Sequence, residues 1–289
     1  MIDKLILGTA QLGMNYGVNN YGKLSKDNVF DILEFAYNNN ITILDTAEIY
    51  GEALTLIGLF LKANPKKHFK IISKLSLENR LQKNDIFQHL ESNLKILNTE
   101  YYHGYMIHNF KDLKKYPEIY EQLKNAKTRG YINNIGISLY EEYEIIDILE
   151  NYHFDFIQVP FNLLDNEKSK RDILKRAKNK KIDIHARSIF LQGLFFTPEH
   201  KLSEQLKPLN KYIKKIIKIA KANKTNLETL AVQYPIKKDY IDKIIIGVHN
   251  LNQFDKNIKI LKSDIYIPED EIERIDIEEK ELLKPYNWH

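Results

Sequence analysis

The stretch ITILDTAEIYG (residues 41–51) opens with an apolar, β-branched run, Ile41, Ile43 and Leu44, and sets Asp45, Glu48 and Tyr50 where that run stops. The run does not alternate with polar residues, so it reads as a strand covered on both faces, the kind found in parallel sheets. Seven further stretches share the pattern: KLILGTA (4–10), FKIISKL (69–75), YYHGYMIHN (101–109), NNIGIS (133–138), FIQVPFN (156–162), KIDIHARS (181–188) and KIIIGV (243–248). Helical spacing fills the gaps. In KDNVFDILEFAYNNN, Val29, Ile32, Leu33 and Ala36 share one face, and in QKNDIFQHLESNLKIL so do Ile86, Leu90, Leu94 and Leu97. Strands that alternate with crossover helices predict parallel βαβ units. Eight of them predict an α/β fold of the (β/α)8 TIM-barrel type.

A doubly wound open sheet is the rival architecture. It normally announces dinucleotide binding by G-x-G-x-x-G after its first strand, and that motif is missing here. No linker-like segment interrupts the alternation, and two helix-like segments fill the longest gap, 189–242. Residues 1–289 are therefore expected to form a single barrel domain with a C-terminal helix and tail. The segment NKYIKKIIKIAKANK (210–224) carries Ile213, Ile216, Ile217 and Ala220 on one side and lysines on the rest. A membrane-surface helix fits that pattern, and so does an outer helix packed on the barrel; the second reading is preferred.

Hydrophobic residues make up 43% and charged residues 28%, which places the chain among folded globular proteins. The 43 basic and 39 acidic residues are interleaved, without the basic stripe that a phosphate backbone favours, so no nucleic-acid partner is expected. No apolar run is long enough to span a bilayer or to serve as a signal segment. The absence of cysteine removes disulfides, thiolate ligands and thiol nucleophiles and fits a reducing compartment, so a cytoplasmic protein is expected. The histidines are scattered and no H-E-x-x-H occurs, so no metal site is expected.

Chemistry is expected at the C-terminal ends of the strands, which converge on one mouth in such a barrel. Asp45 ends the second strand, Tyr50 follows it, Lys74 ends the third and His108 ends the fourth. Taken singly, Asp45 also fits a turn or cap, Tyr50 is one of 18 tyrosines, and His108 fits a satisfied core histidine; Lys74 at the end of an apolar strand requires a partner. Together they form a proton-delivery group. A lysine beside a tyrosine is expected to lower the phenol pKa, with the carboxylate holding the ammonium in place. The imidazole is suited to polarising a carbonyl. Hydride must come from a nicotinamide cofactor, because no side chain supplies it.

These residues resemble the aldo-keto reductase family, whose Asp in DTA, Tyr in YG, Lys near the end of the third strand and His in IH fall on Asp45, Tyr50, Lys74 and His108, and the resemblance runs along essentially the whole chain. It implies a (β/α)8 barrel, tyrosine as proton donor and NADPH lying across the mouth. It also implies nicotinamide contacts from Ser138 in GISLY and Gln158 in QVPFN, and adenosine-side contacts from Gly247, Val248, Gln253 and Asn257 in IIIGVHNLNQFDKN. The chain departs from the family pattern at several points. Leu139 follows Ser138 where many members have Asn. Arg187 stands where many stack an aromatic ring on the nicotinamide, and a guanidinium plane also stacks. His249 replaces the basic residue that meets the 2′-phosphate, so NADH stays open beside NADPH. The N-terminal hairpin that covers the barrel bottom in many members is expected to be missing.

The expected activity is NAD(P)H-dependent reduction of an aldehyde or ketone, or its reverse, on a small-molecule carbonyl substrate, by a monomer or weak homo-oligomer. Trp288, in the tail PYNWH, is read either as lining the substrate pocket or as packing on a helix. Two other classes remain: a cofactor-binding regulatory subunit with little turnover, and a Schiff-base aldolase using Lys74.

Overall fold

The computed structural model describes residues 1–19, 21–75 and 86–288. Each of the eight apolar stretches forms a strand: β1 (Leu5–Gly8), β2 (Ile43–Asp45), β3 (Lys70–Leu75), β4 (Gly104–Ile107), β5 (Ile135–Ser138), β6 (Phe156–Pro160), β7 (Asp183–Arg187) and β8 (Lys243–Gly247). All are parallel, they pair in chain order, and β8 returns to β1 to close a (β/α)8 barrel. A 3-10 turn, Ile2–Lys4, precedes β1, and no strand lies before it among the described residues.

The helices bury the faces that their spacing predicts. Lys26–Asn38 buries Val29, Ile32, Leu33 and Ala36, and its first turn is capped by Ser25 Oγ, which accepts from Asn28 N at 3.2 Å. Ile86–Leu97 buries Ile86, Leu90, Leu94 and Leu97, while residues 82–85 of that predicted helix lie outside the described residues. The basic helix Asn210–Ala222 buries Tyr212, Ile213, Ile216 and Ala220. Two of its lysines are paired, Lys211 with Glu279 at 2.9 Å and Lys214 with Glu199 at 2.8 Å, so it is an outer-layer helix. Three 3-10 turns, at 191–196, 199–201 and 207–209, lie ahead of it in the gap where the spacing showed only two helices. No helix among the described residues is long and apolar enough to cross a membrane.

Strand alternation divides the core in two. Residues such as Leu7, Leu44, Tyr105, Ile137 and Ile157 face the helices in the large outer cluster. Their neighbours Ile6, Ile72, Met106 and Phe156, with Ile43 and Ile245, form a separate cluster inside the barrel. Phe156 is the largest of these, and it fits because two glycines face it. A Cβ on Gly136 would lie 2.4 Å from the Phe156 ring and one on Gly104 3.0 Å from it. Two residues above each interior apolar position, on the same face of the strand, stands a residue of the mouth. Ile43 lies under Asp45, Ile72 under Lys74, Met106 under His108, and Phe156 under Gln158. The same alternation that packs the floor therefore presents the polar groups.

Candidate active site

The mouth opens on a cavity of about 1110 Å³ that reaches from the ends of β2–β4 to the turn after β8. Asp45, Tyr50, Lys74 and His108 all line it. Lys74, 2% exposed, donates to Asp45 Oδ1 at 2.5 Å, to the Thr46 carbonyl at 3.1 Å and to the Tyr50 hydroxyl at 3.4 Å. Three partners match the three N–H bonds of an ammonium and leave no lone pair directed at a substrate carbonyl, which disfavours imine chemistry at Lys74. Asp45 is held from two more directions: its Oδ2 accepts from Gln158 Nε2 at 2.7 Å, and its carbonyl accepts from Thr9 N and Thr9 Oγ1 at 2.9 and 3.0 Å.

The electrostatics correct one sequence-based expectation. Burial first, and the Asp45 carboxylate second, push the Tyr50 phenol above its ordinary value instead of below it. The reason is that phenolate would have to form in a site shielded from water, with a carboxylate already beside the lysine. Burial also pulls Lys74 below its ordinary value, and the Asp45 carboxylate opposes it. His108 is pushed down to about 3, mainly by burial and then by the Lys74 and Arg187 charges, so its imidazole is neutral at physiological pH.

The residues expected around a dinucleotide divide into two groups. Ser138 and Gln158, paired in register on β5 and β6, line the cavity with Arg187, Gly247, Gln253 and Asn257. Val248 does not; its side chain is buried in the outer core because strand alternation turns it away from the mouth. Gln253 Oε1 accepts from His249 N at 2.9 Å and so closes the turn that precedes helix Leu251–Lys262. The Leu139 side chain is fully buried in the outer core. Trp288 packs on the core and donates Nε1–H to the Leu282 carbonyl at 2.9 Å, so the tail reaches the cavity through Pro285 and Tyr286 instead.

Several lining residues carry no signal in the sequence. Tyr16, from the loop after β1, is pushed up by burial and by its proximity to Tyr50. Tyr140 has the Arg187 guanidinium 4.1 Å above its ring and meets Tyr286 edge-on at 4.6 Å. Glu228 and Lys256, an ion pair, line the far end beside His249. The loops after β1 and β7 meet over the cavity, where Val18 N donates to the Gln192 carbonyl at 3.0 Å. Gln192 and Gly193 both lie at positive φ there, 51° and 85°.

Whether the cavity suits a nicotinamide dinucleotide is tested by its polar atoms. Among the described residues, Arg187 Nε and Asn257 Oδ1 are buried without a hydrogen-bond partner, one near each end of the cavity. The cavity itself is bordered by the polar side chains of Ser138, Gln158 and Arg187 at one end and of Gln253 and Asn257 at the other, a spacing that fits an elongated polar ligand. No group of three or more His, Cys, Asp or Glu side chains suited to a metal occurs among the described residues.

The sequence matches the aldo/keto reductase family over residues 4–279. The chain belongs to that family. Among curated sequences, it is 27% identical to the aldo-keto reductase YhdN of Bacillus subtilis (strain 168) over 176 residues, 56% of this chain and 52% of YhdN. It is 27% identical to the uncharacterised oxidoreductase YrpG of the same organism over 164 residues, 50% of this chain and 48% of YrpG. The chain thus spans about half the length of these relatives. Among solved structures, the holo form of the aldo-keto reductase AKR11C1 from Bacillus halodurans superposes with a TM-score of 0.75 at 20% identity, covering 93% of this chain and 90% of that one. That likeness concerns the fold.

Proposed function

We propose that this aldo-keto reductase reduces an aldehyde or ketone with NADPH, NADH being the alternative, and that Tyr50 is the proton donor. The single observation that carries the reading is the contiguous chain Asp45–Lys74–Tyr50, at 2.5 and 3.4 Å, lining a cavity of about 1110 Å³ that continues to the turn after β8. A nicotinamide bound near Ser138, Gln158 and Arg187 would supply the hydride to the carbonyl carbon. Tyr50 gives its proton to the carbonyl oxygen as the alkoxide forms there, and Lys74 stabilises the phenolate left behind. A donor must hold its proton until that moment, and a phenol raised by burial does so throughout the physiological range. The neutral His108 contributes an N–H to the same oxygen and no charge.

Gln158 spends its amide nitrogen on Asp45, so its place in the reaction is to keep that carboxylate oriented while its side chain borders the nicotinamide region. Gln253 and Asn257 border the adenosine end. The test is Tyr50→Phe, with NADPH and a reactive aromatic aldehyde such as 4-nitrobenzaldehyde. Turnover is expected to fall by at least about 10²-fold, with NADPH affinity unchanged. Undiminished turnover would remove Tyr50 from the reaction.

A further inference from the structure

Glu48 lies two residues before Tyr50 on the same turn, and its carboxylate faces away from the cavity. The side chain is 9% exposed. Its Oε1 accepts from His89 Nε2 at 2.6 Å, from Asn93 Nδ2 at 3.0 Å and from the Tyr105 hydroxyl. His89 and Asn93 sit one helical turn apart on Ile86–Leu97, and Tyr105 is on the helix-facing side of β4. A carboxylate this deep persists only where donors converge on it. The helix does not need it for docking, because Ile86, Leu90, Leu94 and Leu97 already bury its apolar face.

The turn is also tied by its own backbone, with Tyr50 N donating to the Ala47 carbonyl at 3.0 Å and Glu52 N to the Gly13 carbonyl at 3.1 Å. Its backbone bond from Glu48 N to the Lys74 carbonyl is long, 3.4 Å. On the cavity side, Lys74 Nζ grips the Thr46 carbonyl at 3.1 Å. The segment that presents Tyr50 is therefore clamped between Lys74 inside and the Glu48 carboxylate outside. We infer that Glu48 is a positioning residue, holding the Tyr50 hydroxyl at the distance from Lys74 and substrate that proton transfer requires. The inference rests on Tyr50 being the proton donor. Proton transfer needs a heavy-atom approach of about 2.6–3.2 Å. A displacement of about 1 Å can cost about 10²-fold in rate.

Three variants, Glu48→Ala, Tyr50→Phe and the double variant, are compared in kcat with NADPH and 4-nitrobenzaldehyde, alongside NADPH dissociation constants. Glu48→Ala is expected to lower kcat by about 10- to 100-fold and to change NADPH affinity by less than about 2-fold, since Glu48 does not line the cavity. On the Tyr50→Phe background it should cost less than about 2-fold, because a residue that acts through Tyr50 has nothing left to position. Glu48→Gln keeps a carbonyl oxygen for the same donors and should restore kcat to within about 3-fold of the parent.

Equal losses from Glu48→Ala with and without the Tyr50 hydroxyl would overturn the inference and leave a general structural role. So would an unchanged kcat in Glu48→Ala beside an inactive Tyr50→Phe. Full turnover by Tyr50→Phe would instead overturn the proton-donor reading beneath it. If Glu48→Ala does not fold, the same cycle with His89→Leu, which removes one of these donors, carries the test with an expected loss of about 3- to 10-fold.

Discussion

His108 lines the mouth and His185 faces the barrel interior two residues before Arg187 on β7, and burial pushes each down to about 3. At His185 the cause is the barrel interior itself, where its ring stacks on Phe156 at 4.9 Å and Nδ1 has no partner among the described residues. The unfolded chain returns both to about 6.5. Between about pH 6.5 and pH 3 the unfolded state therefore binds more protons than the folded one. The stability these imidazoles contribute is complete above pH 6.5 and is lost as pH falls through that window. Each steepens the acid limb by up to about 1.4 kcal/mol per pH unit. His185→Leu should accordingly flatten urea-unfolding stability between pH 6 and pH 4 by about that slope; an unchanged slope would mean that His185 charges freely in the native state. The neutrality of these rings was not legible in the sequence, because burial belongs to the assembled barrel. Positions were legible where a polar residue ends an apolar run, as at Asp45, Lys74 and His108. Tyr16 and Tyr140 were not, since nothing local separates them from the other tyrosines, and Glu48 was visible at its strand end while His89, Asn93 and Tyr105, which hold it, lie 41 to 57 positions away.

The strands illustrate what periodicity can and cannot carry. Apolar runs on both faces identified all eight, and helical spacing identified the buried faces of Lys26–Asn38 and Ile86–Leu97. The segment 188–209 escaped it: Ser188, Leu191, Gln192 and Gly193 all take positive φ, and short 3-10 turns have no period long enough to register. Inside the barrel, the choice of glycine at 104 and 136 acquires meaning only with Phe156 in place. The Phe156 ring cannot move away from a methyl group at 136, since His185 stacks against it and Gly104 lies on another side. Gly136→Ala should therefore destabilise the barrel by about 1–3 kcal/mol through overpacking. Adding Phe156→Leu should recover part of that loss, whereas Phe156→Leu alone leaves a void and destabilises. The four urea-unfolding curves of this cycle measure the coupling, and additive effects would show that the ring and the glycine do not share the space.

Over the whole molecule, the cavity links the Asp45–Lys74–Tyr50 chain at the ends of β2 and β3 to the turn after β8, so a dinucleotide spanning it would tie together elements from both ends of the polypeptide. Binding confined to the folded state stabilises it by about 2.7 kcal/mol at a hundredfold excess over Kd. For a chain of this size that corresponds to a rise in Tm of roughly 4–8 °C. How the rise differs between NADPH and NADH depends on the cations available to a 2′-phosphate. His249 is lowered by burial and is neutral at pH 7, and Lys256 is already paired with Glu228. Both line the far end of the cavity. Glu228→Gln would leave the Lys256 charge unopposed there without altering the Asp45–Lys74–Tyr50 chain. The expected outcome is a larger Tm rise with NADPH in the variant than in the parent, NADH giving the same rise in both; the gain should shrink at high salt, as a charge contact does. Equal changes for the two dinucleotides would place the 2′-phosphate away from Lys256, and no rise with either would remove the dinucleotide from the cavity.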